Sequence, residues 1–238
     1  MKAALFKVIY YLGTGTLIRL FWLFESTLDI RASGMENLRL LRRQGERPLV
    51  VIWHGKGFIP IAYLHQEQLC LYASHSREPD YKGFRKGFRD FTLRMINRMG
   101  YTVLDAAQFA SEARGVLRFV QTLRDGQGGA IAADGPGGPG YEAKPGACFL
   151  AKKCHITLLP VGAAIASGVR LHQWDEFEIP RLFSRATLVI EEPIRVAEDT
   201  SDEELERITL ALENALNRAT RRAEEQLALQ APNRLLQT

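Results

Sequence analysis

The sequence predicts an α/β protein, and three observations carry the prediction. Apolar runs of strand length alternate along the chain with amphipathic helical patterns. A long C-terminal segment carries one continuous helical stripe. No stretch rich in Pro, Gly or Ser divides the 238 residues, which is enough chain to bury one sizeable core. The organisation expected is an N-terminal helix over 1–30, followed by a single α/β domain over 31–238.

Taken in order, the N-terminal segment AALFKVIYYLGTGTLIRLFWLF reads as a helix over 3–25. Only eleven residues separate Lys7 from Arg19, too few to span a bilayer, and no small-residue cleavage site follows the apolar stretch. Phe6, Phe21, Trp22 and Phe24 with scattered cations suit a membrane interface. The other reading is an amphipathic helix packed on the domain. Strands are expected at 48–53, 69–74, 101–104, 129–133, 156–165 and 186–191, and helices at 35–43, 57–66, 84–99, 109–124, 146–153 and 202–228. In the last helix Ser201 and Glu204 have capping-box spacing. Leu205, Ile208, Leu212, Leu216, Ala219 and Ala223 then recur every three or four residues.

The charge balance permits an anionic partner without requiring one: net charge is +4 and the isoelectric point is about 9.0. The stretch 77–98 holds seven basic and three acidic residues, so the whole surplus resides there. It reads either as a solvated helix face or as a surface for phosphates. A nucleic-acid partner is not expected, because no stacking-aromatic, zinc or helix-turn-helix pattern accompanies that helix. Cys70, Cys148 and Cys154 are odd in number and have apolar neighbours, which predicts reduced core thiols in a cytoplasmic compartment.

Chemistry is suggested where strands end. VVIWHGKGF turns abruptly from core residues to His54, Gly55 and Lys56. Ligands of open α/β sheets bind beyond the carboxyl ends of strands, so an imidazole there is reachable, a glycine permits close approach, and a lysine can receive an anion. In AIAADGPGGPGYEAKPGA, Asp134 ends another strand, and Gly135, Gly137 and Gly140 fit G-x-G-x-x-G. A dinucleotide site is rejected, since Pro136 and Pro139 lack the N–H groups that would cradle a pyrophosphate. The stiff turn instead fixes Asp134 and Lys144. After a third strand, Ser74, His75, Ser76 and Arg77 supply donors and a cation. No G-x-S-x-G elbow occurs, and His75, Cys154, His155 and His172 lack zinc spacing, so no metal site is expected. A base, a carboxylate and cations at one sheet edge suit acyl transfer, with the imidazole deprotonating an acceptor hydroxyl.

These pieces, in order, resemble the lysophospholipid acyltransferase (glycerolipid acyltransferase-like) superfamily, and within it a bacterial branch long known as a domain of unknown function. The resemblance is carried by Trp53-His54-Gly55, Ser74-His75-Ser76-Arg77, Gly100-Tyr101, Asp134-Gly135-Pro136, Gly138-Pro139, Lys144-Pro145-Gly146, Pro160-Val161-Gly162, Trp174-Asp175, Phe177, Ile179-Pro180, Phe183-Ser184-Arg185 and Glu192-Pro193-Ile194. It implies a central mixed β-sheet flanked by helices, with an interfacial N-terminal helix. It implies a protein on the cytoplasmic side of the bacterial inner membrane, at an anionic surface. The activity implied is transfer of a fatty acyl chain from acyl-CoA or acyl carrier protein, as substrate donor with no further cofactor, to a lysophospholipid or related membrane lipid. A lipid A precursor is an alternative acceptor. His54 would be the general base, with Lys56, Ser74, Ser76, Arg77, Gly135 and Lys144 binding substrate and Phe58, Ile59, Ile61 and Ala62 lining an acyl groove.

Two departures stand out. The superfamily's His-x4-Asp pattern has Ile59 in place of its Asp, so the orienting carboxylate must come from elsewhere, with Asp134 expected first and Asp80 second. Gly137 stands where the branch usually shows Arg. Both losses also fit a rival from another class, a non-catalytic membrane or lipid-binding module.

Overall fold

The structure is a computed structural model describing residues 16, 18–74 and 84–230, with backbone alone at 84–88. Nine strands are described: β1 (Asp29–Ser33), β2 (Pro48–Ile52), β3 (Cys70–Ala73), β4 (Thr102–Asp105), β5 (Gly129–Ala132), β6 (Thr157–Ile165), β7 (Gly168–Arg170), β8 (Glu178–Pro180) and β9 (Arg185–Ile190). The helices are α1 (Met35–Arg43), α2 (Phe58–Tyr63), α3 (Phe84–Arg98), α4 (Glu112–Arg124), α5 (Gly146–Cys154) and α6 (Asp202–Leu229).

Seven strands form one mixed sheet in the order β1-β9-β6-β2-β5-β3-β4, and β7 and β8 form a separate hairpin. The block β6-β2-β5-β3-β4 is parallel. β9 runs antiparallel to β6, and β1 runs parallel to β9. The long β6 joins the two halves: Thr157–Pro160 pair with β2, and Val161–Ile165 pair with β9. The amino ends of β1 and β9 therefore lie at the edge where the parallel strands have their carboxyl ends.

β2 shows why its sequence reads as a continuous apolar run. Val50 and Ile52 pack with α1, α2 and α3 on one face, while Leu49, Val51 and Trp53 pack with α4, α5 and α6 on the other. Successive side chains of a strand alternate between faces, and a strand covered on both sides must be apolar throughout. Each fully buried Val, Leu or Ile contributes roughly 1.5–3 kcal/mol. All three cysteines are free and buried, and burial pushes the Cys70 thiol up to about 12.

α6 begins at the expected Ser201, whose Oγ accepts from the Glu204 N–H at 3.2 Å. It lies against β6 and β9 through Ala215, Ala219 and Ala223, all buried. The approach is close enough that a Cβ on Gly162 of β6 would sit 2.4 Å from the Thr220 nitrogen. α4 begins at Glu112 rather than 109, because the Ser111 hydroxyl accepts from the Arg114 N–H. The expected helix 57–66 is helical over Phe58–Tyr63 and then tightens into a 3₁₀ turn at His65–Glu67.

β1, β7 and β8 have no counterpart in the sequence reading. β1 is an edge strand with a charged end residue, and the hairpin strands are three residues each, too short to show alternation. Of the N-terminal helix, residues 18–25 are described and helical; most of the expected span precedes the described residues. Ile18, Phe21 and Trp22 pack on the core, while Leu20 and Leu23 face outward. Among the described residues no helix is long and apolar enough to cross a membrane.

Candidate active site

His54 opens a single 3₁₀ turn, His54–Lys56, directly beyond β2. Its backbone is fixed by the neighbouring strand. The Ala133 N–H donates to the Ile52 carbonyl at 2.9 Å, and one residue on the Asp134 carboxylate accepts from the His54 N–H at 3.1 Å. That carboxylate takes the place of the next backbone carbonyl and ends the β2–β5 ladder at a defined point. Asp134 is buried, and burial pushes its carboxyl above the usual carboxylate value despite that hydrogen bond.

The imidazole meets a different carboxylate. His54 Nδ1 lies 2.5 Å from Asp175 Oδ2, in the loop between β7 and β8. The ring is 52% exposed and the carboxylate 2% exposed. Burial pushes the Asp175 carboxyl up. The hydrogen bond and the charge of His54, with the Asp175 and Phe177 backbone N–H groups, more than offset this and leave it below the ordinary value. An ionised carboxylate only accepts, so Nδ1 faces it as the donor and Nε2 is the ring nitrogen left toward the open side. Trp174 and Phe177 flank the imidazole at ring-centroid distances of 5.4 and 5.9 Å.

Three glycines make this convergence possible. A Cβ on Gly55 would stand 1.9 Å from the Asp175 carbonyl oxygen, so the loop crosses where only glycine fits. On the other side Trp174 lies on the Pro/Gly turn, with a Cβ on Gly138 falling 2.6 Å from its ring and one on Gly140 2.9 Å from its carbonyl oxygen. The close approach that Gly55 permits is thus made by this chain's own backbone.

The remaining expected residues divide sharply. Lys56 is buried and donates to Glu178 at 2.8 Å, with Glu224 at 3.8 Å, and Glu178 also accepts from Arg170 at 2.9 Å. It anchors the β7–β8 hairpin to the His54 turn and is not available as an anion receptor. Lys144 donates to the Gly138 carbonyl at 2.7 Å, and its stem covers Gly135, so both close the turn after Asp134. Ser74 directly follows β3, two strands from β2 or about 10 Å away, and its carbonyl accepts from Arg89. Arg89 also donates to Asp105, so this member of the basic helix faces inward. Ser76, Arg77 and Asp80, with His75, lie outside the described residues. Of the expected acyl-groove residues, Ile59 and Ala62 are in the core, leaving Phe58 and Ile61 partly accessible. Among the described residues no serine, threonine or cysteine side chain bonds the imidazole, and no three His, Cys, Asp or Glu side chains are grouped to hold a metal.

The expectation that Asp134 orients the imidazole is therefore corrected. Asp134 holds the His54 backbone, and the ring's carboxylate is Asp175, 121 residues away in sequence. Trp174-Asp175 stood among the resemblance-bearing residues, yet the hairpin carrying it is too short to have a strand signature. The signal that remained was the demand for a second-contact glycine immediately after the histidine.

No family model matches the chain. A segment of 105 residues is 22% identical to the uncharacterized protein RP090 of Rickettsia prowazekii, covering 44% of this chain and 48% of that protein, so the match spans about half the curated relative's length. The crystal structure of the 1-acyl-sn-glycerophosphate acyltransferase PlsC from Thermotoga maritima aligns with 92% of this chain and 83% of its own, with a TM-score of 0.51 and 16% identity. The chain has the PlsC fold. The likeness to PlsC includes the mostly parallel mixed sheet and its flanking helices. In this PlsC-like frame the His54–Asp175 pair occupies the carboxyl edge of the central strands, where bound ligands of such sheets are found.

Proposed function

We propose that this chain is an acyltransferase that moves a fatty acyl group from a thioester, acyl-CoA or acyl carrier protein, to a hydroxyl of a lysophospholipid or related membrane lipid. The observation that carries the proposal is the His54–Asp175 pair on a fold shared with PlsC: a half-exposed imidazole whose inner nitrogen is held by a buried, ionised carboxylate.

In this reading Nε2 of His54 accepts the acceptor's hydroxyl proton as the oxygen attacks the thioester carbonyl. Asp175 keeps the ring in the productive tautomer and stabilises the imidazolium that forms. As the tetrahedral intermediate collapses, the C–S bond breaks and the leaving thiolate takes the proton from Nε2, yielding ester and free thiol. Ser76 and Arg77, on the segment after β3, are proposed to contact phosphate or the oxyanion, since Lys56 and Lys144 are committed to internal contacts. The donors named are made in the cytoplasm, so the protein is proposed to work at the cytoplasmic face of a bacterial membrane. A lipid A precursor is the alternative acceptor.

The test is acyl transfer from a radiolabelled thioester to lysophosphatidic acid, and separately to an under-acylated lipid A precursor, in mixed micelles. Wild-type protein should form product with at least one acceptor, and His54→Ala should lower turnover by about 10²–10⁴-fold. Absence of transfer with either acceptor, or full activity in His54→Ala, would overturn the proposal. The first result would favour the non-catalytic lipid-binding reading.

A further inference from the structure

Four large apolar side chains stand exposed on two segments, distant in sequence, that meet through hydrogen bonds. Leu20 and Leu23 on the N-terminal helical segment are 53% and 64% exposed, and Leu182 and Phe183 on the turn between β8 and β9 are 57% and 78% exposed. Leu20 and Leu23 share one helical face, and in the turn that ends the segment the Thr27 hydroxyl accepts from the Phe183 N–H at 3.2 Å. The Asp29 N–H donates to the Ser184 carbonyl, also at 3.2 Å, so the two segments meet end to end.

The turn is built to hold Phe183 outward. Its φ is +60°, a region bulky residues avoid. Ser184 behind it is buried, with its N–H donating to the Arg181 carbonyl and its hydroxyl accepting from the Ser167 N–H. The backbone on both sides of the exposed Phe183 side chain is thus held by internal hydrogen bonds.

The patch lies at a particular edge. β1 and β9 run opposite to the parallel block, so their amino ends emerge at the edge where β2 leads into the His54 turn. Phe21 and Phe24 contact Phe58, which opens the helix after the His54 turn, at centroid distances of 6.2 and 6.0 Å. The N-terminal helical segment therefore rests on the helix that follows the His54 turn. Across 16–31 and 180–185, Arg19, Arg31, Arg181 and Arg185 outnumber Glu25 and Asp29 by two. Apolar side chains rimmed by a cationic surplus match an anionic bilayer interface.

We propose that Leu20, Leu23, Leu182 and Phe183 form a bilayer-docking surface, with the Leu182–Phe183 turn as a second lipid contact beside the N-terminal helical segment. The surface brings the His54 edge to the headgroup level, where a lipid acceptor presents its hydroxyl. Its purpose rests on the function proposed above; its test does not. The full chain is sedimented with vesicles of phosphatidylglycerol and phosphatidylcholine. Leu182→Asp, and Phe183→Asn, whose side chain tolerates the left-handed backbone, should each weaken vesicle partitioning about tenfold or more. Leu117→Asp, an equally exposed position on α4 at the far end of the sheet, should leave it unchanged, and so should His54→Ala. Unchanged partitioning in both turn variants overturns the proposal. So does dissociation of a dimer in sedimentation velocity with vesicle binding intact, which would assign the patch to a second copy. Vesicle binding that survives alongside a failed acyl-transfer assay defeats the proposed activity and leaves the docking surface standing.

Discussion

His54 and its two carboxylates assign different work to chemically identical groups. Asp175 touches the ring and Asp134 touches the backbone, so their amide variants should separate. Asp175→Asn removes the charge that stabilises an imidazolium and should lower kcat by about 10²–10⁴-fold. Asp134→Asn still offers an oxygen to the His54 N–H and should keep turnover within about tenfold of wild type; steady-state kinetics on the same acceptor decides between them. The pH dependence of stability should split them too. Asp175 has its folded value lowered, so it adds stability above the ordinary carboxylate range, lost as pH falls through its folded value. Asp134 has its value raised, so its contribution is present below that range and lost as pH rises through its folded value. Urea midpoints measured from pH 3 to pH 7 should show Asp134→Asn gaining on wild type as pH rises and Asp175→Asn losing ground. His54 was legible in the sequence because a polar residue directly after a fully apolar strand has few structural reasons to be there. Asp175 was not, because its partner in space lies in a loop held by two three-residue strands.

At the scale of elements, the β7–β8 hairpin is the part that makes the site. It is anchored by the Lys56–Glu178 ion pair and admitted by the bare Gly55 backbone. Lys56→Met should lower kcat by loosening Asp175, while the KM for the acyl donor stays within about twofold; an anion-binding lysine would give the reverse split, and initial rates over a range of donor concentrations distinguish the two. Gly55→Ala should reduce turnover about a hundredfold or more by pushing the Asp175 carbonyl aside. In β6, Gly162→Ala drives a methyl into the α6 backbone and should destabilise by about 1–3 kcal/mol, visible as a Tm several degrees lower. The long helices and buried strands could be read from sequence because each repeats its pattern over several residues. The lysines misled the reading because a charge's partner, unlike a helix's apolar face, has no period. Lys56 follows the histidine like an anion receptor, yet Glu178, 122 residues away, had already taken it.

For the whole molecule, the α/β class followed from alternating apolar and amphipathic segments, and the mixed sheet followed from the resemblance; the structure has both. The reversal of β1 and β9 is set by connection geometry, to which strand composition is blind. With all three thiols buried on or beside the sheet, alkylation should be negligible in native protein and should follow the unfolding transition in urea, as mass spectrometry of labelled samples would show. The distance in sequence between His54 and Asp175 has one more consequence. During synthesis the histidine leaves the ribosome long before the hairpin that completes it, and that hairpin is held by Lys56 and by the close approach at Gly55, both beside the histidine. A nascent chain that has not yet reached Asp175 thus carries an imidazole with no carboxylate behind it, and the enzyme proposed here becomes able to act on lipid only once the hairpin has closed over the His54 turn.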